Sequence, residues 1–126
     1  MTSAVTHIQR HHTNARLSKI VRHGGLIYLC GQTARGSPVA TGDIGTQTAE
    51  VLSRVDALLS EVGSDRTRLI AVTIYLRDMA DFVGMNEAWE AWLAGKQAEA
   101  PARTTVEAAL ATEGLRVEMT VVAAEA

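Results

Sequence analysis

Gly24-Gly25-Leu26-Ile27-Tyr28-Leu29-Cys30-Gly31 is the stretch on which the fold depends. Gly24-Gly25 is a turn signal, because glycine takes up the backbone angles of a tight reversal without a side-chain clash. The run Leu26 to Cys30 is rich in β-forming residues and almost continuously apolar. A shorter run before the turn, residues 17–21, contains Ile20 and Val21. Two such runs around a Gly-Gly pair predict a β-hairpin. The second run is apolar on both faces, which is the pattern of a central strand covered on both sides.

Downstream, residues 33–42 contain Gly36, Pro38 and Gly42 and read as an irregular loop. Over residues 44–62 the period changes: Val51, Leu52, Val55, Leu58, Leu59 and Val62 fall at helical spacing and form one apolar stripe. Asp43 is suited to cap that helix, and Gly63 stands where a left-handed residue is wanted. Residues 69–76 return to β character, with Ile70, Val72, Ile74 and Leu76 alternating against smaller or polar neighbours. A second helix is predicted over residues 79–94, capped by Asp78, with Phe82, Met85, Trp89, Trp92 and Leu93 as its stripe and Gly95 as its end. Pro101 opens a strand over residues 102–108, and Val117, Met119 and Val121 alternate in a last strand. A further short strand is expected at residues 6–9. The order β-β-α-β-α-β-β places two helices on one face of a mixed sheet, an α+β arrangement in which the other face calls for cover from further subunits.

The chain has 126 residues, 47% of them apolar and 21% charged, which fits one soluble globular domain. A formal net charge of −2 argues against a general nucleic-acid binder. The lone Cys30 has no internal disulfide partner, as expected of a reducing compartment. The polar, histidine-rich residues 1–14 lack the apolar core of a signal peptide, and no window approaches a membrane span. A cytoplasmic location is expected. Aromatic residues are only 4%, so the core is modest and association into an oligomer would add to it.

Three polar positions stand where the pattern predicts partial burial. Arg103 lies in the neutral strand Ala102-Arg103-Thr104-Thr105-Val106, Glu118 lies between Val117 and Met119, and Asn86 follows Met85 on the second helix. A guanidinium on a strand presents a rigid fork for a carboxylate or phosphate. A carboxylate in a partly dry position is suited to moving protons through a water. The plainer reading, favoured by pattern alone, is that Arg103 and Glu118 neutralise each other across neighbouring strands. Cys30 lacks a nearby base in sequence and reads as a small buried hydrophobe rather than a nucleophile. His7, His11, His12 and His23 lack zinc spacing and read as surface residues, while Trp89 and Trp92 read as core or interface anchors. The glycines do not make a phosphate-binding loop, but Gly31 ends a buried strand where backbone groups could meet a ligand.

Four segments together resemble the RidA (YjgF) family: Gly25-Leu26-Ile27-Tyr28-Leu29-Cys30-Gly31-Gln32, Asp81-Phe82-Val83-Gly84-Met85-Asn86-Glu87-Ala88-Trp89, Pro101-Ala102-Arg103-Thr104-Thr105-Val106 and Val117-Glu118-Met119. The resemblance implies a chorismate-mutase-like α+β fold assembled as a homotrimer, with sites in the clefts between subunits. It implies hydrolysis of reactive 2-imino and 2-enamino acids, such as 2-aminoacrylate and 2-iminobutanoate, to 2-oxo acids and ammonia. Arg103 then matches the residue that pairs with the substrate carboxylate, and Glu118 the residue that positions or activates water. Gly31, Asn86 and Thr105 match positions lining the same cleft. Neither a metal nor an organic cofactor is implied. Two positions depart from the family's best-characterised deaminases: Leu17 stands near a tyrosine, whose lost hydroxyl makes that wall apolar, and Thr105 stands at a cysteine, for which it can substitute where only the backbone carbonyl is used. The alternative of a different class is a non-catalytic trimer that binds small carboxylate metabolites as a sensor. A ribonuclease activity, attached to some members, sits poorly with the acidic balance.

Overall fold

The Gly24-Gly25 reversal forms with both glycines in the left-handed region, φ 61° and 81°. That is the two-residue hairpin turn whose twist matches the strands it joins. It links β2 (Ser18–His23) to β3 (Leu26–Gln32), with His23 opposite Leu26. The structure, a computed structural model, describes residues 7–126. The remaining elements are β1 (Gln9–Thr13), α1 (Ile44–Glu61), β4 (Leu69–Leu76), α2 (Phe82–Ala94), β5 (Ala102–Glu107) and β6 (Val117–Ala124). Short 3-10 turns, Arg66–Arg68 and Met79–Asp81, precede β4 and α2.

The six strands form one sheet in the order β1-β2-β3-β6-β4-β5. Every pair is antiparallel except β4–β5, which α2 connects as a crossover. β6 therefore runs through the middle of the sheet, between β3 and β4. Val117, Met119, Val121 and Ala123 of β6 are buried, as are Val72, Ile74 and Leu76 of β4. They share a core with Val51, Leu52, Val55 and Leu59 of α1 and with Met85, Trp89 and Leu93 of α2. Both helices thus cover one face, the expected α+β arrangement. On the other face Tyr28 is exposed and Cys30 half-buried. Cover on both sides of β3, as its sequence leads one to expect, is not supplied by the helices of this chain.

Helix α1 begins as predicted: the Asp43 carboxylate accepts from Thr46 N–H at 2.8 Å, and Gly63 past its end has φ 75°. Gly84 lets α2 approach α1 closely, since a Cβ there would lie 2.6 Å from Ile44 Cγ2. Two expectations need correction. Asp78 caps the 3-10 turn, through Ala80 N–H, and α2 proper starts three residues later than predicted. Gly95 does end α2, as its C-cap, but with right-handed angles (φ −60°); the left-handed residue that then turns the chain is Gln97 (φ 51°). The expected strand at residues 6–9 is replaced by β1, which starts at Gln9; Thr6 lies outside the described residues.

Gln47 is fully buried on α1 and ties two loops together. Its Oε1 accepts from Arg116 N–H at 2.8 Å, while its amide donates to Gly114 O at 2.7 Å and Gly42 O at 3.0 Å. Leucine would fill the space but orphan these partly buried backbone groups. Gln47→Leu is expected to lower unfolding free energy by about 3 kcal/mol, read from urea denaturation.

Candidate functional site

Arg103 owes its orientation to the parallel pairing of β5 with β4. It stands opposite Val72, and Thr105 stands opposite Ile74, so both point to the helix-covered face at the sheet's edge. There Arg103 Nη1 donates to Asn86 Oδ1 at 2.8 Å. Its guanidinium carbon lies 5.6 Å from the centre of the Trp89 ring and 5.8 Å from that of Phe82. Aromatic faces attract a cation and hold the guanidinium plane. Nε and Nη2 have no partner among the described residues, which leaves a two-donor fork free. Two residues along, the Thr105 hydroxyl is buried without a hydrogen-bond partner.

Glu118 lies on the other face. It stands opposite Tyr75, between the inward-facing Val117 and Met119. Its carboxylate lies over Gly31, where an added methyl group would come within 2.0 Å of Oε2. Gly31 is not in the left-handed region, so the reason for glycine here is space for the Glu118 side chain. It sits in an irregularity of the β3–β6 ladder, between Leu29 and Gln32. Leu17 is exposed in the turn before β2. Continuing the β2–β3 register would put Ser18 across from Gly31, so Leu17 belongs to the same end of the sheet.

The six residues singled out from sequence therefore fall into two groups. Arg103, Asn86 and Thr105 form one, at the edge beside α2. Gly31, Glu118 and Leu17 form the other. The pairing of Arg103 with Glu118 across neighbouring strands is overturned: β4 separates their strands, and they occupy opposite faces. Five clefts among the described residues, of about 240 to 410 Å³, are lined by neither residue.

Burial pushes the Cys30 thiol up from its ordinary value, partly countered by the Lys19 ammonium, which keeps it protonated near neutrality. The raised thiol agrees with an unreactive side chain, but Cys30 is half-buried rather than buried as expected. Trp89 is 4% exposed in the core, whereas Trp92 donates its indole N–H to Asp56 at 3.0 Å beneath Arg66. His7, His12 and His23 are exposed, but His11 is half-buried on β1 with Nε2 unpartnered, contrary to a surface reading. Sequence reasoning missed Phe82 as a neighbour of Arg103 and Gln47 as a loop clamp. Gln47 had a signal, a polar residue one turn before Val51 on the apolar stripe.

A six-stranded mixed sheet, two helices on one face and a free arginine fork on the edge strand define a class of small α+β domains. The family model described as Endoribonuclease L-PSP matches residues 7–125. A RutC family protein of Haemophilus influenzae is 37% identical over 118 residues, 92% of this chain and 97% of the relative. RutC family protein YoaB of Escherichia coli is 37% identical, covering 93% of this chain and 97% of its own length. The crystal structure of NMB1025, a YjgF family member from Neisseria meningitidis, superposes with a TM-score of 0.87 at 38% identity, covering 97% of this chain and 98% of that one. The chain belongs to this Endoribonuclease L-PSP family, the group also called YjgF, RutC and Rid. Among the described residues no helix is long and apolar enough to cross a membrane.

Proposed function

We propose that the chain is a cytoplasmic homotrimeric deaminase that hydrolyses 2-imino and 2-enamino acids to 2-oxo acids and ammonia, with no cofactor. The observation that carries this reading is the Arg103 fork, oriented by Asn86 and two aromatic rings and left with Nε and Nη2 free. A planar two-donor fork matches a carboxylate and fixes the carbon attached to it. In the proposed trimer the Arg103 group of one copy faces the Gly31–Glu118 group of a second, which resolves their opposite placement within one chain. The uncovered sheet face, with Tyr28 exposed, is where those copies would meet.

The chemistry then needs few parts. Arg103 holds the carboxylate so that C2, with its polarised C=N bond, lies beside Glu118. Glu118 takes a proton from water as the oxygen bonds to C2, and the proton passes to nitrogen. Collapse of the resulting aminoalcohol breaks the C–N bond, releasing ammonia and leaving the 2-oxo acid. An enamine such as 2-aminoacrylate first accepts a proton at C3 to become the imine.

The test is ammonia release from freshly generated 2-iminobutanoate and 2-aminoacrylate. Acceleration over the spontaneous rate is expected, with sedimentation near three times the chain mass. No acceleration would leave the non-catalytic carboxylate binder as the better reading. Gly31→Ala gives a finer check. Only the mobile end of the Glu118 side chain opposes the added methyl, so the fold is expected to survive, with a change in unfolding free energy within about 1 kcal/mol. The displaced carboxylate should slow turnover about a hundredfold. Wild-type turnover in a folded variant would remove Glu118 from the mechanism.

A further inference from the structure

Arg103 is flanked by two rings that differ in one respect. Trp89 is 4% exposed and forms the back wall, whereas Phe82, its ring centre 5.8 Å from the guanidinium carbon, is 38% exposed. Met79, 39% exposed, and Val83, 67% exposed, stand beside Phe82 at the entry to α2. Met79 is tied to the end of β5 through its N–H, which donates to Glu107 Oε1 at 2.9 Å. The three side chains present apolar surface and no hydrogen-bonding hydrogen. The Asn86 amide oxygen, one helical turn on from Phe82, is already taken by Arg103.

Nη1 being engaged with Asn86, an incoming carboxylate takes Nε and Nη2, and the rest of the ligand extends away from Asn86. A polar ligand side chain laid on this wall would lose water without gaining a partner. An apolar one would bury surface against Phe82.

We propose that Phe82, with Met79 and Val83, is a specificity wall that makes the Arg103 site select 2-imino acids with bulky apolar side chains over small ones. This rests on the deaminase reading for its substrate, though not for the wall itself. Each added methylene buried on such a wall contributes about fourfold, so two contribute roughly tenfold where the wall stays partly open.

The experiment compares 2-imino-4-methylpentanoate with 2-iminobutanoate, both generated in situ by an amino-acid oxidase. Wild type is expected to show kcat/KM about tenfold higher for the branched imine. In Phe82→Ala the ratio should fall to about one, whereas Phe82→Leu, which keeps an apolar wall and protects the fold, should retain most of it. A residue that only steadied Arg103 would lower both substrates equally and leave the ratio untouched. That result, or a wild-type preference for the small imine, overturns the proposal. Binding of the stable 4-methyl-2-oxopentanoate and 2-oxobutanoate, by calorimetry, gives the same ratio without turnover. If no imine is hydrolysed, a roughly tenfold preference for the branched oxo acid, lost in Phe82→Ala, still supports the wall; equal affinities sink it.

Discussion

Arg103→Ala is expected to reduce kcat/KM for 2-iminobutanoate by roughly a thousandfold, with the fold intact. Two charge-assisted hydrogen bonds are lost at once, each contributing about 1.5 to 3 kcal/mol where water is excluded. Asn86, Phe82 and Trp89 remain but offer a carboxylate no positive charge. Arg103→Lys restores the charge without the planar fork. It should recover only part of the loss, because an ammonium cannot engage both carboxylate oxygens in the guanidinium geometry. The measurement is initial-rate ammonia release over a range of imine concentrations, beside a thermal melt. A variant that melts normally and keeps wild-type kcat/KM would take Arg103 out of the site. An equal deficit in lysine and alanine variants would identify the fork, rather than the charge, as the essential feature.

The second large effect is a gain. Arg103→Ala and Glu118→Gln chains, each nearly inactive alone, should regain activity when coexpressed in equal amounts. The two groups lie on opposite faces of the sheet within one chain. If a site joins the Arg103 group of one copy to the Glu118 group of the next, a random trimer contains wild-type sites with a probability of about one quarter. Activity near a quarter of wild type is therefore expected after coexpression, and only background from the separately purified variants. Were both residues to act from a single chain, no mixture could restore them, since no chain carries both. The outcome tests the shared site directly, independently of which imine is preferred.

Much of the architecture is legible in the amino-acid order because it is local. The Gly24-Gly25 hairpin, the stripe of α1 with its Asp43 cap, and β4 over Leu69–Leu76 each follow from neighbours in sequence. The place of β6 between β3 and β4 does not, since nothing near Val117 specifies which strands it joins. The misreading of Arg103 and Glu118 as an ion pair follows from that gap. Glu118 alternates with buried Val117 and Met119, so its outward direction could be counted. Arg103 sits in a strand with no apolar alternation, and only pairing with Val72 reveals its face. The end of α2 at Gly95 was legible, but the left-handed turn after it was not, because Gln97 adopts an angle that its residue type does not announce. Phe82 read as one more member of an apolar stripe, and its partial exposure beside Arg103 depends on where β5 lies.

The central position of β6 also bears on how the chain is made. On the ribosome, residues 117–124 emerge after every other strand, yet they supply the hydrogen bonds that join β3 to β4. Until then the β1-β2-β3 layer and the β4-α2-β5 unit share no ladder, and each presents an unpaired edge and half of an unfinished core. Contacts such as Leu29 with Val121 close a loop of about three quarters of the chain, an entropically slow step that nothing synthesised earlier can replace. The sheet therefore closes only once β6 is available, so the last strand in the order is the one that unites the two halves of the core.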